Sequence, residues 1–148
     1  MSYDFEIKEK VVDRYSKSIT SIIKLNVDRY FELIELNFPM GLNRINWEEV
    51  ENHRTIEVNL KDELNSKFEI LNFFQELKRE SIVNESDNIF VFGDGSIENV
   101  YKMPFYVLEE NVMEFFTLPQ HTYIINENAD WCINYTFEDD LFFGFSSK

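Results

Sequence analysis

The run Trp131-Cys132-Ile133-Asn134-Tyr135-Thr136-Phe137, the turn Glu138-Asp139-Asp140 and the run Leu141-Phe142-Phe143-Gly144-Phe145 decide the fold class. Both runs are crowded with aromatic residues that read as strand, and the short acidic segment between them has the length of a hairpin connection. A third strand-like run, His121 to Asn126, precedes them and is joined to Trp131 by another connection of that kind, Glu127-Asn128-Ala129-Asp130. Three such runs in quick succession predict an antiparallel sheet.

Upstream of this block, Ile89-Phe90-Val91-Phe92 is short, wholly apolar and ends in Gly93-Asp94-Gly95-Ser96, which predicts a buried strand and a turn. Pro104 to Phe116 reads in two ways. Phe105, Leu108, Val112 and Phe115 keep helical spacing behind a proline that suits a first turn, while Phe105-Tyr106-Val107 would also serve as strand.

The N-terminal part has a different period. Ile19, Ile22, Ile23, Val27, Tyr30, Phe31, Ile34 and Phe38 step by three and four, predicting a helix that stops at Phe38-Pro39-Met40-Gly41. Asn46-Trp47-Glu48-Glu49 predicts a short capped turn of helix, and Arg54 to Val58 alternates as a short strand. A second helix begins at about Asn59, read as its cap, with Leu60, Leu64, Phe68, Leu71, Phe74 and Leu77 on one face. Helices first and strands later predict an α+β fold: N-terminal helices packed on a C-terminal, mainly antiparallel β-sheet covered on one face. Residues 1–148 are expected to form a single domain, helical over about 1–84 and sheet-rich over about 88–146.

Composition restricts the function more than it identifies it. Among 148 residues, 28 are acidic and 14 basic, a formal charge of −14, while 44% are apolar and 15 are Phe. This is a folding sequence, not an acidic disordered tail. Nothing approaches the apolar length of a spanning helix, and Met1 to Glu6 lacks the basic start of a secretory signal. A lone cysteine, Cys132, cannot form an internal disulfide and fits a reducing cytoplasm. Phosphates need Lys and Arg, so nucleic acid is a poor direct partner and a basic protein a good one. The charge is also uneven: residues 75–148 carry 14 acids and 4 bases, and residues 103–147 carry 8 acids and no base.

No constellation in the sequence specifies a reaction. The glycine turn at Gly93 lacks the spacing and lysine of a phosphate loop. Cys132 lies in an apolar strand in negative surroundings, the setting of an inert thiol, and neither His53 nor His121 has a visible partner. The chain is therefore expected to have no catalytic residues, no metal and no cofactor. The acidic turn has three readings: a divalent cation site, a docking patch for Lys and Arg of a partner protein, or an exposed turn that discourages edge aggregation. Carboxylates beside an outward-facing aromatic have the composition of a binding hot spot, which makes Glu138, Asp139, Asp140, Phe142, Asp130 and Glu127 the candidate partner-binding residues. Trp131 and Tyr123 are candidate walls of a small-molecule pocket.

Leu118-Pro119-Gln120-His121-Thr122-Tyr123-Ile124-Ile125, then Trp131 through Asp140, then Phe143-Gly144, resemble the C-terminal block of small acidic bacterial immunity proteins of polymorphic and contact-dependent toxin systems. Phe92-Gly93-Asp94-Gly95 is similar to the mid-chain turn of that broad set, which includes the SUKH superfamily. The resemblance covers roughly residues 88–146, about 40% of the chain. It implies a non-catalytic inhibitor that binds a cognate toxin in the cytoplasm, and it carries no catalytic residues. The charge suits neutralising a basic toxin domain, a nuclease among others. The alternative is a small-molecule-binding or scaffold module with no toxin partner.

Overall fold

A computed structural model of the protein describes residues 2–15, 21–23 and 27–148. Its seven strands are β1 (Ser21–Ile23), β2 (Arg54–Glu57), β3 (Asn88–Gly93), β4 (Val100–Pro104), β5 (Thr122–Ile125), β6 (Trp131–Tyr135) and β7 (Asp140–Phe145). They form one sheet in the order β1-β4-β3-β5-β6-β7-β2, with every neighbouring pair antiparallel. The α-helices among the described residues are α1 (Asp4–Lys10), α2 (Val27–Asn37), α3 (Glu63–Arg79), α4 (Phe105–Glu110) and α5 (Val112–Phe116). The class is α+β, with an antiparallel sheet.

The division of the chain is less clean than its periodicities suggest. Both edge strands, β1 and β2, come from the first 57 residues, and two helices, α4 and α5, lie inside the sheet-rich part. The ambiguous stretch from Pro104 to Phe116 is helical, so Phe105-Tyr106-Val107 is not strand.

The sheet is covered on both faces rather than one. Strand residues alternate between faces, and here each set meets its own core. Ile89, Val91, Tyr101, Ile133, Leu141 and Phe143 pack with α1, α3, α4 and α5, with Phe116 stacked on Tyr135 at 4.6 Å between ring centroids. Phe90, Phe92, Val100, Tyr123, Ile125 and Cys132 pack with Tyr30 and Ile34 of α2 and with Phe38, Ile45, Trp47 and Val50 beyond it. The unbroken apolar run in β3 has this cause, because a strand buried on both faces has no polar side to show.

The helices differ from expectation in register. Of the first predicted helix, Val27–Asn37 forms α2, Ile22 and Ile23 lie in β1, and Ile19 is outside the described residues. In α3 the cap is Asp62, whose carboxylate accepts from the backbone N–H of Asn65 at 3.2 Å, and Asn59 instead accepts from the N–H of Lys61 at 3.1 Å. The buried side of α3 is Ser66, Ile70, Phe73, Phe74 and Leu77, while Leu64 and Phe68 are exposed. At 100° per residue, these form two separate rows, and only one reaches the sheet. Trp47–Glu49 forms a 3-10 turn as expected, without a side-chain cap from Asn46.

Asp4 ties α1 to the start of β4. Its carboxylate accepts from the backbone N–H groups of Glu98 at 2.7 Å and Asn99 at 3.1 Å, from the Tyr101 hydroxyl at 2.5 Å, and from the Ser2 hydroxyl. Burial pushes this carboxyl up, but the hydrogen bonds outweigh it and hold the group below its ordinary range. Asp4→Ala is expected to lower stability by about 2–3 kcal/mol at neutral pH, read as a drop in the urea midpoint. A depressed carboxyl stabilises the fold above its unfolded pKa and loses that contribution on protonation. The gap between wild type and Asp4→Ala should therefore narrow as the pH falls below about 4. An unchanged midpoint at neutral pH would contradict this role.

Candidate functional site

The turn between β6 and β7 is fixed by its own backbone and by Thr136. The Asp139 N–H donates to the Thr136 carbonyl at 3.0 Å, and the Asp140 N–H donates to Thr136 Oγ1 at 3.1 Å. Asp139 takes a φ of 65°, a left-handed conformation that Asp tolerates in turns. The three carboxylates consequently diverge. Asp139 accepts from the Tyr135 hydroxyl at 3.1 Å, and Tyr135 belongs to the α3 side of the sheet. Asp140 pairs in register with Glu57 of β2. Glu138 accepts from Arg44 Nη1 at 2.9 Å.

Glu138, Asp140 and Phe142 line an open cleft of about 480 Å3 on the α2 side of the sheet. Its floor is aromatic. Trp47 stacks on Phe142 with centroids 5.1 Å apart and planes 3° from parallel, and the His53 ring centroid is 6.2 Å from that of Phe142. The indole N–H donates to Asn134 Oδ1 at 3.0 Å, and Asn134 Nδ2 donates to the Thr122 carbonyl at 2.9 Å, so the polar atoms beneath the floor are satisfied. Trp47 can lie this close only because β7 carries a glycine there. A Cβ on Gly144 would sit 2.7 Å from Val50 Cγ1 and 2.8 Å from Trp47 Cζ3.

The cleft is electronegative. Burial pushes the Asp140 carboxyl up, and Glu57, Glu138 and Asp139 push it further, with Arg44 opposing only in part. The hydrogen bond from Arg44 holds the exposed Glu138 carboxyl below its ordinary range. Arg44 thus already presents a guanidinium to one of the rim carboxylates.

The remaining sequence candidates lie elsewhere. Asp139 is turned toward the other face. Glu127 and Asp130 belong to the β5–β6 turn at the opposite end of β6, about 16 Å of strand away. Asp130 is tied there to Asn126 through Oδ2 at 2.9 Å and its own N–H at 2.8 Å. Trp131 and Tyr123 form no shared pocket, because they occupy opposite faces of the sheet. Tyr123 is buried against Phe92 at 5.7 Å on the α2 side, and Trp131 packs on Phe143 at 6.2 Å on the other. Phe142 and Phe143 do point oppositely, but each meets a covered face, so Phe142 is half-buried rather than outward-facing.

Trp47, His53 and Arg44 are the site residues that sequence reading missed. A glycine isolated within a strand signals a close approach by another group, so Gly144 was the clue to Trp47. Arg44 gave no local signal.

Among the described residues, no group of three or more His, Cys, Asp or Glu is placed to hold a metal ion. Cys132 is fully buried, which pushes its thiol up and away from reactivity. In the glycine turn, the N–H groups of Ser96 and Ile97 donate to Gln120 Oε1 at 2.8 and 3.2 Å, leaving neither for a phosphate. No helix among the described residues is long and apolar enough to cross a membrane. No protein-family model matches the chain, and no curated protein sequence matches it.

Proposed function

We propose that the protein is a non-catalytic, immunity-type inhibitor that binds a basic toxin domain, a nuclease among the candidates, in the cytoplasm. The observation that carries this reading is the placement of Glu138 and Asp140 on the rim of an aromatic-floored cleft in a chain of net charge −14. A long-range negative field speeds encounter with a cationic partner. At the cleft, Trp47 and Phe142 offer an apolar anchor that excludes water around Lys or Arg of that partner, the environment in which charge pairs gain most.

The test is recovery of partners by tagged protein from its own lysate at low and at high salt, beside the double variant Glu138→Gln/Asp140→Asn. A single basic protein is expected at low salt, lost at high salt, and bound about tenfold more weakly by the variant. A partner indifferent to salt and to both substitutions would refute the electrostatic reading. Recovery of nothing, with a small molecule retained in native mass spectrometry, would favour a ligand-binding module instead.

A further inference from the structure

A second cleft, also of about 480 Å3, adjoins the first on the α2 side of the sheet. It is walled by Phe31 and Glu35 of α2, by Met40 and Asn43, and by the turn after β3 with Asp94 and Glu98. The segment from Met40 to Ile45 divides the two: Gly41, Leu42 and Arg44 line one cleft, while Met40 and Asn43 line the other. That segment is closed on itself. Met40 and Ile45 form a bridge, the Gly41 N–H donates to the Arg44 carbonyl at 2.7 Å, and the Asn46 N–H donates to the Pro39 carbonyl at 2.8 Å. At its tip Leu42 is 91% exposed, so nothing in the fold accounts for its apolar side chain.

The surroundings of Leu42 have one sign of charge. Glu35, Asp94 and Glu98 lie to one side, Glu48, Glu138 and Asp140 to the other, and Arg44 is the single Lys or Arg among the described residues lining either cleft. Only β5 separates β3 from β6, so the turns that follow those two strands are about 10 Å apart. An ordered apolar tip between two acidic recesses matches the centre-and-rim arrangement of protein interfaces. Because the loop is already closed, little further ordering is needed on binding. A second copy of this chain would set carboxylates against carboxylates, which leaves a cationic partner as the complementary occupant.

We infer that Leu42 and its two flanking clefts form one docking surface for a basic protein, whose cationic side chains straddle an apolar patch that receives Leu42. The inference rests on the basic-partner reading above and adds the footprint and its anchor.

The test is a titration of the isotope-labelled full chain, followed by amide NMR shifts at low salt. The probes are two synthetic peptides of equal charge, acetyl-(Arg-Leu-Lys)4-amide and acetyl-(Arg-Gly-Lys)4-amide. The leucine peptide should bind more tightly and shift amides in 31–48, 94–98 and 134–142. Leu42→Ala, at a fully solvated position, should weaken that peptide about tenfold and leave the glycine peptide unaffected. Shifts centred on Glu63 and Glu76 of α3 or on the β5–β6 turn, an unaltered affinity for Leu42→Ala, or Leu42-dependent self-association would each overturn the docking surface while leaving a basic partner tenable. Absence of shifts with either peptide would remove both readings together.

Discussion

Phe92→Ala is expected to lower stability by about 3–5 kcal/mol, the largest effect of any single substitution considered. The Phe92 ring is fully buried at the centre of the α2-side core, with ring centroids of Tyr30, Phe31 and Tyr123 at 5.7, 5.1 and 5.7 Å. Two of these partners belong to α2, a helix of 11 residues that is too short to persist without packing. Truncation removes the transfer free energy of the ring and leaves a cavity bounded by rings that cannot all move inward. Typical domains are stable by about 5–15 kcal/mol, so the loss is a large share of the total. The urea midpoint should fall sharply. A smaller m-value would show in addition that α2 had already left the sheet in the native state. A loss below about 1 kcal/mol would mean that the α2-side core is not closely packed.

Gly144→Ala is expected to cost about 1–3 kcal/mol and to deform the candidate site at the same time. Its Cβ would meet Val50 and Trp47, both buried against β7, and the β7 backbone is held by its pairing with Cys132 and the rest of β6. The indole must therefore lift from Phe142. In a Trp131→Phe background, which leaves Trp47 as the single tryptophan, its emission should move to longer wavelength. Binding through the cleft should weaken in parallel. Gly95→Ala is the matched control, because an added Cβ there meets nothing within 4 Å and stability should change little. Equal effects at the two glycines would refute the close approach as the cause.

What the sequence disclosed, and what it withheld, follows the range of the interactions. The strands from His121 onward were legible because aromatic runs and short turns are local patterns, and the structure places β5, β6 and β7 there. β1 and β4 passed unread: Ser21–Ile23 borrowed the helical spacing of the residues after it, and Val100–Pro104 has only partial alternation. In α3, two apolar rows competed, and only the sheet decides between Phe74 with Ile70 and Leu64 with Phe68. The acidic turn drew attention by its charge, yet which carboxylates converge depends on a left-handed Asp139 and on Arg44, 94 positions away. Trp131 and Tyr123 looked adjacent because both sit in neighbouring strands, and side-chain parity separates them.

The two edge strands also govern how the chain reaches this state. β1 joins β4 through pairs such as Ser21 with Lys102, and β2 joins β7 through Arg54 with Phe143. The five strands between them are all drawn from residues 88–145. Contacts of such high sequence separation close large loops, and large loops slow folding. During synthesis, β2 leaves the ribosome long before the strand that receives it has been made. A nascent chain halted before β7 would hold the Arg54–Glu57 edge unpaired, a state prone to association. β2, made early in the chain, can therefore pair only once β7, the last strand, is complete.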